Sequence, residues 1–168
     1  MVQRRVNSMN EEMLFAREDQ VIDLSKGTDD TVDFQKFLIF IADDLKLGVV
    51  AESVVEILTN QTITYLPRVP EFIRGIINMR GQIIPILDVR LRLGKPSRED
   101  SLVVVLNLDG TQLGILVDAV DQMIDIPKYN ILPMPAHNTQ LLVSGMCSLP
   151  DGSGTMMVLD CEQLKPNE

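Results

Sequence analysis

The run Pro67-Arg68-Val69-Pro70-Glu71-Phe72-Ile73-Arg74-Gly75-Ile76-Ile77-Asn78-Met79-Arg80-Gly81-Gln82-Ile83-Ile84-Pro85-Ile86-Leu87-Asp88-Val89-Arg90 decides how this chain is read. Pro70, whose ring presets the backbone for a first helical turn, predicts a short helix over Pro70–Asn78. Gly75 lets two backbones approach closely. Asn78 and Gly81 bracket Arg80 in a tight loop. Gln82–Leu87 is an apolar strand, and Pro85, unable to donate to a ladder, places that strand at an edge or a bulge. Asp88 then caps a short helix over Asp88–Leu93, which Gly94 stops.

Outward from this run the texture is β. Phe34–Ile41, Lys46–Ala51, Val54–Leu58 and Thr62–Leu66 precede it, and Leu102–Leu108, Gln112–Val117, Gln122–Ile126 and Met156–Leu159 follow. All are short and rich in branched or aromatic side chains, and turn residues punctuate them. Asp109-Gly110 reads as a hairpin turn and Asp151-Gly152 as a second turn. This spacing predicts a mainly β fold of the barrel or sandwich type with few short helices. Residues 1–33 differ: eight acids, four bases and no alternating strand pattern. They read as an acidic leader, flexible or weakly helical and dispensable for folding, ahead of a domain over 34–165 and a tail at 166–168.

The chain has 168 residues and a net charge of −9. No apolar run approaches a membrane span, so no direct membrane insertion is expected. Cys147 and Cys161 in apolar surroundings suit buried thiols in a reducing cytoplasm. Acidity argues against nucleic-acid binding. The charge is uneven, however, because Arg68–Arg98 holds seven basic residues against two acids. That stretch reads either as a solvated face or as a patch that steers an acidic partner.

Catalytic constellations are scarce. His137 is the single histidine, which removes most histidine-based catalysis and any multi-histidine metal site. Ser144-Gly145 does not form a nucleophile elbow, and the two cysteines lack the second pair that structural zinc needs. Three strands end in aspartate, at Asp88, Asp118 and Asp160. Together these could form a carboxylate cluster for metal-dependent chemistry. The competing reading makes each one the cap of the turn or helix that follows its strand. Neither a cofactor nor a metal is expected.

The Pro67–Arg90 run closely resembles the signature of the CheW-type chemotaxis coupling domain. Other segments follow that family in order. Gln35–Ile41 is similar to its first strand, Gly48–Leu58 to its second strand and the V-x-E-I element, and Gly114–Val120 to its G-h-h-V-D-x-V strand. Ile131–Pro135 resembles its I-x-P-x-P segment, and Gly145 is placed before the final strand pair. Ala42-Asp43-Asp44 departs from the usual Leu-Gly turn, and Met79 stands where Leu is commoner.

The resemblance implies two intertwined five-stranded SH3-like β-barrel subdomains sharing a core. It also implies a non-enzymatic adaptor, cytoplasmic and recruited to membrane-associated receptor arrays. Its implied partners are the cytoplasmic tip of methyl-accepting chemotaxis receptors and the regulatory domain of the chemotaxis histidine kinase. Receptor-binding positions carried over from the family are Val54, Glu56, Gly75, Asn78, Arg80 and Gly81, with Glu56 and Arg80 expected to pair. A kinase contact is expected on the loop Ile131–His137, through Leu132 and His137.

Overall fold

A computed structural model describes residues 32–99, 101–135 and 142–165. The leader through residue 31, the tail at 166–168 and His137 lie outside the described residues. Among the described residues eleven strands form two sheets. They are β1 (Phe34–Ala42), β2 (Leu45–Val50), β3 (Val54–Leu58), β4 (Ile73–Met79), β5 (Gln82–Asp88), β6 (Leu102–Leu108), β7 (Thr111–Val117), β8 (Ala119–Pro127), β9 (Leu132–Pro133), β10 (Val143–Ser148) and β11 (Thr155–Leu159). One sheet runs β8-β1-β2-β11-β10-β9 and the other β3-β6-β7-β5-β4. The only α-helix among the described residues is the single turn α1 (Val89–Arg92). The mainly β expectation holds, and the first sheet reaches six strands because the two-residue β9 joins its edge.

The long apolar runs have a physical reason. Phe37 and Ile39 of β1 point into a small cluster with Ile126, Cys147 and Met156, inside the first sheet. Leu38 and Phe40, on the opposite face of the same strand, enter a larger cluster with Leu47, Leu87, Val104, Leu106 and Ile115. In β6, Val103 and Val105 face Ile77, Ile84 and Ile86 within the second sheet, while Val104 and Leu106 face the shared cluster. Each central strand is thus buried on both faces, so its sequence runs apolar without alternation. Two small cores flank one common core.

The two sheets repeat one plan. Strands β3, β4, β5, β6 and β7 correspond to β8, β10, β11, β1 and β2, a duplication permuted along the chain. The β4–β5 ladder slips between Ile73 and Gly75, and the β10–β11 ladder slips between Val143 and Gly145. Parallel pairing sets Ile86 against Gly114 in one sheet and Val158 against Gly48 in the other. The Asp88 N–H donates to Phe72 O, and the Asp160 N–H to Leu142 O, each at 2.7 Å.

Four expectations are corrected. Ile73–Met79 is strand β4, where a helix is expected over Pro70–Asn78; the bulge at Gly75 breaks the alternation that marks a strand. Gly145 lies inside β10, not before the final strand pair, for the same reason. Thr62–Leu66 contributes only an isolated bridge, Thr64 to Ile76. Of the two alternatives for the Pro85 strand the edge fails, because β5 is interior, while its ladder with β4 does carry a bulge, between Ile73 and Gly75. Ile76 spends its N–H and C=O on Thr64, so the facing Pro85 points its nitrogen towards β7, whose ladder begins only at Ile86. The missing N–H of Pro85 therefore costs no ladder bond.

Candidate functional site

The β4–β5 hairpin turns through Arg80 and Gly81, with φ of 53° and 85°. Two positive φ values suit a type I′ turn, whose twist matches the flanking strands. The Asn78 side-chain oxygen accepts from the Gly81 N–H at 3.0 Å. Asn107, Asp109 and Gly110 build the β6–β7 turn in the same way, with the Gly110 N–H donating to Asn107 Oδ1 at 2.9 Å. Asp109 is a residue that tolerates left-handed backbone; Arg80 is not. Placing a long side chain there costs about 1–2 kcal/mol, which hairpin geometry alone does not require.

The guanidinium so placed reaches Glu56 on β3. Arg80 Nη1 donates to Oε1 at 2.8 Å and Nη2 to Oε2 at 3.2 Å, a bidentate fork. Strands β3 and β4 are the opposite edges of the sheet, so the pair bridges the seam where the sheet curls towards closure. Hydrogen bonding from Arg80 holds the Glu56 carboxyl below its usual range, and Glu56 raises the already high Arg80 value. The Arg80 side chain is 70% exposed against 31% for Glu56. The cation is presented and the carboxylate steadies it. Val55 and Ile57, the neighbours of Glu56 in β3, and Ile83 of β5 are exposed as well.

The structure brings Glu56, Asn78, Arg80 and Gly81 together. Val54, half-buried, packs against the shared core. Gly75 is buried with φ 145°, and a Cβ there would lie 2.1 Å from the Thr64 carbonyl oxygen. Both positions report on packing beneath the site. Leu132 is 59% exposed on β9 and pairs with Met146 in the opposite sheet, away from the Arg80 hairpin.

The three strand-end aspartates do not form one cluster. Asp160 caps the 3₁₀ turn Cys161–Leu164 through the Glu162 N–H at 3.1 Å. Asp88 and Asp118 both converge on the fully buried Arg90, which sequence reading did not single out. Arg90 Nε and Nη2 hold Asp88 at 2.8 and 3.1 Å, and Nη1 holds Asp118. Ser97 Oγ and Arg74 also donate to Asp88 Oδ2, at 2.6 and 3.2 Å. Burial would raise the Asp88 carboxyl, but hydrogen bonds from Arg90 and Ser97 outweigh it and hold it low.

Asp88 Oδ1 also accepts from the Arg90 N–H at 3.0 Å, so the capping role expected there stands beside an ionic one; at Asp118 it is corrected. Asp118 takes Arg90, an Arg98 nitrogen at 3.7 Å and the Asp43 N–H at 2.7 Å, which ties β7 to the β1–β2 turn. These carboxylates are saturated by arginine, and among the described residues no group of three acidic, His or Cys side chains is placed to hold a metal. The basic stretch is largely consumed internally too. Lys95 pairs with Asp43 and Asp44, and Arg92 lies 4.7 Å over the Phe72 ring. Arg80 is the cation it presents in a built site.

Comparisons agree with this architecture. The CheW-like domain family model matches residues 36–167. The chain is 32% identical over 149 residues to the Chemotaxis protein CheW of Klebsiella aerogenes, covering 86% of this chain and 89% of that protein. It is 35% identical over 109 residues to Protein FrzA of Myxococcus xanthus, covering 60% and 65%. The crystal structure of the scaffolding protein TtCheW from Thermoanaerobacter tengcongensis superposes with a TM-score of 0.69 at 32% identity, over 75% of this chain and 88% of that one. The matched family, its relatives and the likeness to a scaffolding protein place this two-sheet β domain in the class of scaffolds. The chain belongs to the CheW-like domain family, the scaffolds of chemotaxis signalling.

Proposed function

We propose that this scaffold is non-enzymatic and couples the cytoplasmic tip of methyl-accepting chemoreceptors to the regulatory domain of the chemotaxis histidine kinase. The observation that carries the reading is Arg80: an exposed guanidinium, set in a backbone conformation that disfavours it, and aimed by Glu56. Such a side chain earns its place by what it binds, because an Asn in the same turn would be more stable. Its fork suits carboxylates, and the exposed Val55, Ile57 and Ile83 on β3 and β5 add apolar surface for an amphipathic helical tip. Leu132, exposed on the other sheet, is the proposed kinase contact. The two faces lie on different sheets, so one scaffold can hold both partners at once.

No helix among the described residues is long and apolar enough to cross a membrane. Recruitment to receptor arrays would then come through the receptor contact. Co-sedimentation of the chain with receptor signalling fragments and kinase tests the reading: a ternary complex is expected, with kinase retained on receptor only when the chain is present. Failure to bind either partner would overturn it.

A further inference from the structure

The internal duplication maps the Glu56–Arg80 pair onto a second pair in the other sheet. Glu56 lies opposite Val105, which lies opposite Gly114. Gln122 lies opposite Ile39, which lies opposite Gly48. Gly114 and Gly48 are the equivalent members of the two parallel ladders. Glu56 and Gln122 thus occupy the same place, directly after a bulge on an edge strand. Gln122 also behaves as Glu56 does: its Nε2 donates to Asp151 Oδ2 at 3.0 Å. Asp151 stands in the loop joining β10 to β11, the counterpart of the turn that carries Arg80.

The charge presented is reversed. Asp151 is exposed, and its other oxygen accepts from the Ser153 N–H at 2.9 Å. Hydrogen bonds from Gln122 and Ser153 hold its carboxyl down to about 2, so it is ionised at any ordinary pH. These donors are neutral; Lys46, which pairs with Asp121 at 3.4 Å, adds a smaller Coulombic pull on Asp151. Among the described residues no cation pairs with Asp151. Ser153 and Gly154 of the same loop wall an open groove of about 330 Å³ beside Asp151, whose apolar side is Leu45, Met146 and Met157 and whose charged lining is Asp44 and Lys46. Methionine walls adapt to the side chains they receive.

We propose that Asp151, oriented by Gln122, and the Met146–Met157 groove form a second docking surface, which takes a protein segment carrying Lys or Arg beside an apolar side chain. A carboxylate fixed by two hydrogen bonds and free of a direct salt bridge favours a cation without the cost of orienting itself on binding. Arg80 selects acidic groups and Asp151 basic ones, so the two related faces reject each other's partner. This extends the adaptor reading to a second face, and its test uses neither proposed partner.

The test is an amide-resolved NMR titration of the full chain with acetyl-Leu-Arg-Leu-Lys-amide, beside the acidic control acetyl-Leu-Glu-Leu-Asp-amide. The basic probe is expected to move Asp151, Ser153, Gly154, Met146 and Met157, and the acidic probe to leave them in place. Asp151→Asn keeps the size of the side chain and should weaken the basic probe about threefold to fivefold, the range of one exposed ion pair. Asp151→Lys should abolish the shifts; if it fails to fold, Asp151→Asn decides. Equal affinity in wild type and Asp151→Asn, equal shifts with both probes, or no shift at these residues overturns the proposal. Absent receptor and kinase binding would overturn the adaptor reading alone.

Discussion

Arg80 and Glu56 stand on opposite edges of one sheet, yet two hydrogen bonds of 2.8 and 3.2 Å join them. Nothing in the ladder pairs β3 with β4. The sheet must curl for this fork to close, and the left-handed turn at Arg80 is what aims it.

Relieving that turn separates stability from binding. Arg80→Asn should melt at the same temperature as wild type or higher, because Asn tolerates positive φ and the exposed pair it removes contributes only about 0–1 kcal/mol. Thermal denaturation checks this. A melt more than a few degrees lower would make the pair structural.

Breaking the buried network should be far costlier. Arg90→Met leaves Asp88 buried without its main partner, and the expected loss is about 3–5 kcal/mol. Asp160→Asn, at an exposed cap, should cost about 1 kcal/mol or less. Urea unfolding of the two variants orders them, and equal losses would contradict the burial assigned to Arg90.

Gly75→Ala should destabilise and Gly81→Ala should do so less. Both have positive φ, but a Cβ at Gly75 meets a backbone oxygen at 2.1 Å whereas at Gly81 it meets open space. Any loss of binding in Gly75 variants then follows from a disturbed β4. Matching melts for the two alanine variants would remove this distinction.

Asp151 gives a pH signature. Its folded value of about 2 lies below its ordinary 3.8, so the folded state binds the proton less readily than the unfolded chain. Its stabilising contribution is present above pH 4 and is lost as pH falls towards 2. Side-chain NMR titration should place it near 2, and Gln122→Ala should move it up. No movement would mean Gln122 does not hold it.

Much of this was legible in the sequence, and the omissions share a cause. Strands buried on both faces, such as β1 and β6, announce themselves as apolar runs. Strands β4 and β10 do not, since each carries a glycine bulge that shifts its side-chain alternation midway. They are one feature seen twice, through the duplication. The loop at Arg80 was readable from Asn78 and Gly81, because turn chemistry is local. The interior position of Arg90 was not, since only the meeting of α1 with β7 brings Asp118 to it. The Gln122–Asp151 pair is 29 residues apart and carries no motif; the ladder registers alone reveal it.

The most direct measurement is the dissociation constant of the chain for a receptor signalling fragment, wild type against Arg80→Asn, with binding to the kinase regulatory domain measured in parallel. A central interface arginine can be worth about 2 kcal/mol or more, so receptor binding should weaken at least tenfold while kinase binding holds. Unchanged receptor binding in a folded Arg80→Asn protein would contradict the account.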